Sequence, residues 1–162
     1  MKSQVDWDDF FMEIAYTVSQ QSYAADKKVG CLIVKGDQIL SYSYNGTPRG
    51  WNNNTNNPDG TTKKETIHAE MYAIAKVARS TVSLESATMY VTTAPCSECA
   101  KIIVVCGFAR IVYGSDYKNC DGLDILKKAG LTVIKSTDSI NVTIEHCELA
   151  DYNWLKDHTG LT

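Results

Sequence analysis

The alternation of helix-type and strand-type segments after residue 66 constrains the fold of this chain more than any other feature. The runs TMYVTTA, RIVYGS and LTVIKS are short and rich in β-branched and aromatic residues, which is typical of buried strands. We expect helices before and between these runs, at residues 68–80, 95–106 and 123–129. Strands that alternate with helices pair in parallel, because each crossover returns the chain to the same end of the sheet.

The first 46 residues add one helix and two strands. From Asp6 to Gln20 the apolar residues recur at three- and four-residue spacing, which predicts an amphipathic helix with Asp6 as its N-cap. The segments VGCLIVKG and QILSYSYNG are rich in β-forming residues and meet at Gly36-Asp37, which predicts a β-hairpin. The complete order predicts an α/β fold, a three-layer α/β/α sandwich with a five-stranded mixed sheet.

The length of 162 residues favours a single domain over residues 1–162, with a core from about 5 to 135. We expect residues 136–162 to be a C-terminal extension, either irregular or a terminal helix. Residues 45–65 form a long polar loop between the hairpin and the next helix. Loops of that length inside a domain are usually functional or mobile.

Composition restricts the classes of partner. The net charge of −3 argues against a large nucleic-acid surface, which is usually strongly basic, and favours a small ligand. No apolar stretch approaches the roughly 18 residues that would span a membrane. The first ten residues are acidic and lack the apolar core of a signal peptide. We therefore expect a cytoplasmic protein that binds neither a nucleic-acid polymer nor a membrane.

His68, Cys96 and Cys99 form the sharpest chemical pattern in the sequence. Three protein ligands leave the fourth tetrahedral position of Zn²⁺ open, which distinguishes a catalytic zinc site from a closed structural one. The two cysteines are three residues apart at a helix start that Pro95 favours, so both thiols point the same way near N–H groups that favour thiolates. Glu70 does not share the helical face of His68, yet it is close enough to move protons to and from a water at the metal.

Taken singly, these residues also fit structural or redox roles. A single histidine beside an apolar helix is more often structural. A single C-x-x-C is also compatible with a redox pair or with half of a structural zinc site, but no second C-x-x-C completes such a site. The combination of all four residues favours a catalytic zinc centre.

His68-Ala69-Glu70 and Pro95-Cys96-Ser97-Glu98-Cys99 match the pattern H-x-E…P-C-x-x-C of the zinc-dependent deaminases. The resemblance runs from residue 5 to about 135 and is strongest to the deoxycytidylate (dCMP) deaminases, including those of bacteriophages. WDDFFMEIAYTVSQQS resembles the first helix of that family, and YNGTPRG resembles its loop after the second strand. VYGSDYKNCDGLDILKKAGLTV resembles its closing segment.

The resemblance implies hydrolytic deamination of dCMP to dUMP and ammonia by zinc-activated water, supplying dUMP for thymidylate synthesis. It implies that Glu70 shuttles the protons. It also implies substrate contacts by Asn45, by the backbone near Ala94 and by Tyr117.

The resemblance further implies a homohexamer that is activated by dCTP and inhibited by dTTP, with Mg²⁺ on the triphosphate. By the same resemblance, the candidate effector contacts are Asp26, Lys28, Asn45, Gly46 and Arg49. One feature departs from the family: relatives often carry a second, structural zinc in the segment that here spans residues 51–65, which contains neither Cys nor His. We therefore expect one zinc per chain and a segment that is held by turns or poorly ordered.

Two alternatives remain. The first is a deaminase of another substrate, namely cytidine, cytosine, guanine or tRNA adenosine. The charge of −3 disfavours the tRNA, and the loop NGTPRG suits a phosphorylated substrate better than a free base. The second is an inactive nucleotide-binding regulator, and the presence of Glu70 disfavours it because binding alone does not need that carboxylate.

Overall fold

Nine helices and strands lie within residues 3–136, which are the part of the chain that the computed structural model describes. The C-terminal extension that we predicted lies outside the described residues, apart from residue 136. In chain order the elements are α1 (Gln4–Ser19), β1 (Gly30–Lys35), β2 (Gln38–Tyr44), α2 (Ala69–Val77), β3 (Thr88–Thr93), α3 (Ser97–Val105), β4 (Arg110–Ser115), α4 (Asp121–Lys128) and β5 (Thr132–Lys135).

The five strands form one mixed sheet in the order β2-β1-β3-β4-β5. β1 pairs antiparallel with both β2 and β3, with Cys31 opposite Val91 in the second pair. β3 pairs parallel with β4, with Met89 opposite Ile111. β4 in turn pairs parallel with β5. The predicted hairpin and the predicted parallel alternation are both confirmed.

Helices cover both faces of the sheet, because consecutive residues of the central strands are buried and point alternately to opposite sides. Cys31 and Ile33 of β1 join a core cluster with residues of α2, α3 and α4. Leu32 and Val34 point to the other face and pack against α1. The three-layer α/β/α fold is therefore confirmed.

A partly buried ion pair fixes α1 to the sheet. Asp8 is 8% exposed and accepts hydrogen bonds from Arg110 of β4 at 2.8 and 3.3 Å and from the Tyr90 hydroxyl of β3 at 2.7 Å. Burial raises the pKa of Asp8, but the bonds from Arg110, Tyr90 and Gln4 outweigh it and leave the pKa below its usual value.

Helix starts differ from the predictions by up to three residues. α1 begins at Gln4, and its N-cap is Ser3, whose side chain and the Asp6 carboxylate form a capping box; the prediction of Asp6 as N-cap was wrong. His68 and Cys96 are themselves N-caps of α2 and α3, so neither lies inside its helix.

No helix in residues 3–136 is long and apolar enough to cross a bilayer.

Residues 51–65 are held by turns, as one of our two expectations stated, with an isolated bridge between Asn56 and Thr62.

Candidate metal centre and its pocket

Two helix N-termini bring the predicted metal ligands together. β3 ends at Thr93, and the chain then passes through Ala94 and Pro95 to Cys96 at the start of α3. Cys99 lies one turn into the same helix and is 1% exposed. His68 is at the start of α2, which lies beside α3 on the same face of the sheet. The helix ends add a positive potential that favours thiolates.

The ligand atoms have the spacing that a tetrahedral zinc ion requires. His68 Nδ1 is 3.5 Å from Cys96 Sγ and 3.5 Å from Cys99 Sγ, and the three ligand atoms lie within 4.8 Å of one another. Zn–S bonds of 2.3 Å and Zn–N bonds of 2.0–2.1 Å at a tetrahedral angle give an N···S separation of about 3.6 Å. Both nitrogen–sulfur separations therefore match those expected for a zinc ion bound by these side chains. Among the described residues, they are the group of His, Cys, Asp or Glu side chains that is close enough to hold a metal.

The two thiols differ in their affinity for a proton. A hydrogen bond from Cys99 lowers the pKa of the Cys96 thiol to about 3, with burial opposing this shift and His68 adding to it. The pKa of Cys99 is raised, because its thiol donates that bond and because it is buried near Glu70. The opposite shifts reflect one hydrogen bond that the two thiols share, and both thiols must lose their protons to bind a metal.

Glu70 lies in the wall of the same pocket and is 4% exposed. Burial raises the pKa of Glu70 to about 7, although a backbone hydrogen bond and attraction to His68 oppose the shift. A carboxyl group with that pKa can both accept and donate a proton near neutral pH. The structure places Glu70 in the same cavity wall as His68 and Cys96. That Glu70 moves protons at the metal stays a prediction.

Two of the three predicted metal ligands, His68 and Cys96, line a cavity of about 350 Å³. Three other segments complete its walls: residues 24–29 before β1, the loop between β2 and α2, and residues 116–118 after β4. Its lining residues outside the metal centre include Ala24, Asp26, Lys27, Asn45, Thr55, Asn56, Thr62, Thr66, Ala94, Asp116, Tyr117 and Lys118.

The three predicted substrate contacts, Asn45, Ala94 and Tyr117, all line this cavity. The Asn45 amide is already engaged with the protein. Its Oδ1 accepts hydrogen bonds from the Ser22 hydroxyl at 2.7 Å and the Val29 N–H at 2.9 Å, and its Nδ2 donates to the Lys27 carbonyl at 2.9 Å. Asn45 therefore shapes the segment before β1.

The predicted effector contacts do not form one group. Asp26 and Asn45 line the cavity of the metal centre. Gly46 and Arg49 line a second cavity of about 440 Å³ together with Lys76 and several tyrosines. Lys28 is exposed and lines neither cavity.

Sequence reasoning missed several polar residues in the wall of the metal-centre cavity, among them Lys27, Lys118 and Asn56. They lie in loops, where no periodic pattern marks a side chain as facing a ligand. Lys27 and Lys118 place two cations in the cavity of a chain whose net charge is −3.

The comparisons with known proteins agree with this geometry. Residues 5–115 match the family described as "Cytidine and deoxycytidylate deaminase zinc-binding region". The chain is a member of this family. The deoxycytidylate deaminase of Enterobacteria phage T2 is 36% identical over 165 residues, covering 75% of this chain and 88% of that protein.

Two further similarities come from a eukaryotic and a phage protein. The deoxycytidylate deaminase of Saccharomyces cerevisiae is 34% identical over 137 residues, which cover 78% of this chain but only 44% of the yeast protein. The crystal structure of a dCMP deaminase from cyanophage S-TIM5, in complex with dCMP and dUMP, superposes with a TM-score of 0.79 at 34% identity. That match covers 83% of this chain and 98% of the phage chain.

Proposed function

We propose that this chain catalyses the hydrolytic deamination of dCMP to dUMP and ammonia. The observation that carries the proposal is the position of Glu70, a buried carboxyl group in one cavity with a His-Cys-Cys group spaced for zinc. A structural zinc site or a redox C-x-x-C has no need of that carboxyl group. The similarity to deoxycytidylate deaminases of phages and yeast supports dCMP as the substrate.

His68, Cys96 and Cys99 hold one zinc ion in this proposal. When bound, zinc lowers the pKa of water to about 7 and so provides a nucleophile near neutral pH. The protein supplies the proton transfers. Glu70 takes one proton from the attacking water and passes it to N3 of the cytosine ring. It then moves the second proton of that water to the amino group, so that ammonia leaves as the C4–N bond breaks.

The backbone near Ala94 orients the base. The Ala94 N–H donates to the Ser115 carbonyl at 2.8 Å, so a contact with the base is made through the Ala94 carbonyl. A carbonyl accepts a hydrogen bond from the 4-amino group of cytosine, which uracil lacks. Tyr117 lies in the segment after β4 and lines the same cavity.

Lys27 and Lys118 recognise the phosphate of dCMP. Both lysines line the cavity, and Lys118 is exposed, as expected for a group at its mouth. Asp116 also lines the cavity, but its carboxylate is paired with Lys135 at 2.6 Å. Asp26 accepts hydrogen bonds, and we assign it to a sugar hydroxyl, because a carboxylate repels phosphate.

The test is ammonia release from purified, zinc-loaded protein with dCMP, deoxycytidine and cytosine in parallel. We expect turnover of dCMP, little turnover of the two unphosphorylated compounds, and a loss of about 10³-fold in kcat for Glu70→Gln with unchanged zinc content. Turnover of cytosine or deoxycytidine in preference to dCMP would contradict the substrate. A zinc-replete Glu70→Gln variant with near-normal activity would contradict the mechanism.

We also propose that the second cavity is an effector site. Gly46 offers a backbone without a side chain and Arg49 and Lys76 offer cations, a combination that suits the triphosphate of dCTP or dTTP with its Mg²⁺.

A homohexamer and a cytoplasmic location complete the proposal, both on the basis of the family resemblance. Adding dCTP and Mg²⁺, and separately dTTP, to the dCMP assay tests the regulation, and the mass of the protein in solution tests the assembly.

A further inference from the structure

Residues 51–65 form an insert between the β1–β2 hairpin and α2. It is built around Thr55, which is 2% exposed. The Thr55 carbonyl accepts hydrogen bonds from the Lys63 N–H at 2.8 Å and from the Thr66 hydroxyl at 3.1 Å. Since Thr66 is two residues before His68, these bonds attach the base of the insert to the start of α2.

The tip of the insert is a turn that is closed by its own hydrogen bonds. The Asn57 N–H donates to the Thr61 carbonyl at 2.7 Å, and the Gly60 N–H donates to the Asn57 carbonyl at 2.9 Å. Asp59 accepts from the Thr61 N–H at 2.9 Å and from its hydroxyl at 2.6 Å. The tip therefore holds its shape through backbone hydrogen bonds and the side chain of Asp59.

Asn56 connects the insert to the other wall of the cavity. Its Oδ1 accepts hydrogen bonds from the Thr55 hydroxyl at 2.8 Å and from the Ala25 N–H at 3.4 Å. Its Nδ2 donates to the Gly60 carbonyl at 3.3 Å. The pKa of the neighbouring Asp26 is lowered by the Lys27 N–H and, more weakly, by the Asn56 side chain. One amide group thus joins the base of the insert, its tip and residues 25–26.

Both walls that Asn56 connects line the cavity of the metal centre. Thr55, Asn56 and Thr62 come from the insert, while Ala24, Asp26 and Lys27 come from the segment before β1. A substrate bound above His68 and Glu70 lies between the two walls. Asn56 makes no hydrogen bond to His68 or Glu70 in the described structure, so any effect of Asn56 on those two residues passes through the walls.

We propose that Asn56 is a positioning residue that clips the insert to residues 25–26 and thereby holds the two walls of the substrate cavity together. The inference rests on the proposed function for its substrate, dCMP. Without these hydrogen bonds of Asn56 the two walls separate, and the affinity for the substrate decreases. The chemical step is unaffected, because the metal ligands and the Glu70 carboxyl group keep their positions. Uniform weakening of substrate and transition-state binding raises KM and leaves kcat unchanged.

The decisive comparison is between Asn56→Ala and Asn57→Ala in the zinc-loaded full chain. Asn57 is the matched control, because it is the same residue type in the same insert but bonds to Thr61 within the tip. We expect Asn56→Ala to raise KM for dCMP about tenfold with kcat within about twofold, as the loss of one or two hydrogen bonds predicts. Asn57→Ala should leave KM near that of the wild type, and both variants should keep one zinc per chain.

Two further measurements separate this inference from the proposed function. Hydrogen exchange at the Ala25 amide reports the clip without any substrate, and it should accelerate in Asn56→Ala but not in Asn57→Ala. Asn56→Asp provides a second variant, because it keeps the acceptor but places a carboxylate beside Asp26. We expect it to raise KM as well, with part of the increase relieved by added salt.

The outcomes are distinct. A wild-type chain that does not deaminate dCMP overturns the proposed function, and the exchange experiment then still decides whether Asn56 is a clip. An active wild type with an unchanged KM in Asn56→Ala overturns the inference alone. A fall in kcat at constant KM also overturns it, because that result would place Asn56 in the chemical step.

Discussion

At the scale of single residues, the metal centre depends on a glycine as much as on its ligands. Gly122 is buried in α4, and a side-chain carbon added there would overlap the Pro95 carbonyl oxygen and come within 2.9 Å of the Cys96 carbonyl carbon. The contact is with backbone, which cannot rotate away as a flexible side chain does. Gly122 thus allows α4 to lie directly against the turn that presents Cys96.

We therefore predict that Gly122→Ala weakens zinc binding. The added methyl group must push apart α4 and the Pro95-Cys96 turn, and a displacement of one ligand lowers metal affinity by about 10- to 100-fold. The measurement is zinc retention against a chelator of known affinity. Lys127→Ala is the control, since Lys127 is exposed on the same helix. Equal zinc retention in Gly122→Ala and the control would contradict the prediction.

At the scale of elements, the attachment of α1 depends on the partly buried ion pair between Asp8 and Arg110. We predict that Asp8→Ala lowers the free energy of unfolding by about 3 kcal/mol, because it leaves the Arg110 cation and the Tyr90 hydroxyl without their acceptor. The double variant Asp8→Ala/Arg110→Met should lose less than Asp8→Ala alone, since it removes the uncompensated charge together with its partner. Urea unfolding of both variants measures the difference.

The same pair has a defined pH dependence. The folded chain holds the pKa of Asp8 below its ordinary value. Its contribution to stability is therefore present above the unfolded pKa of about 4 and is lost as the pH falls through the folded pKa. Acid unfolding of the wild type should be steeper in this range than that of Asp8→Ala, and parallel curves would contradict the assignment.

The elements also show where sequence reasoning works and where it stops. β4 was predicted at its observed bounds, because the middle of RIVYGS is a continuous buried run. Ile111 and Tyr113 pack in the core on one face of the sheet, and Val112 packs in the core on the other. The start of α1 was misplaced, because Ser3 and Asp6 are both good caps and only the capping-box geometry decides between them. His68, Cys96, Cys99 and Glu70 were found because their spacing is itself the signal.

Other features of the site depend on loop geometry that no sequence pattern encodes. Lys27, Asn56 and Lys118 are brought to one cavity by three separate loops. Asn45 was predicted as a substrate contact, but the fold uses its amide to hold the segment before β1. That role depends on where Ser22 and Val29 lie, which follows from tertiary structure.

At the scale of the whole molecule, the charge distribution opposes the proposed substrate. The chain carries a net charge of −3, and dCMP is an anion, so the far field of the protein repels it. Binding then relies on local cations, and in the proposed function these are Lys27 and Lys118. Interactions between a phosphate and exposed lysines are screened by salt, because the Debye length falls from about 30 Å at 0.01 M to about 8 Å at 0.15 M.

We predict that Lys118→Ala raises KM for dCMP about tenfold and also weakens the dependence of that KM on salt. The reason is that the removed cation is the one whose attraction the salt screens. Lys128→Ala, an exposed lysine on α4, should keep the wild-type KM and the wild-type salt dependence. The measurement is KM for dCMP over a series of salt concentrations for the three proteins. If Lys118→Ala keeps the wild-type salt dependence, the phosphate is bound elsewhere, and the cations of the second cavity become the next residues to replace.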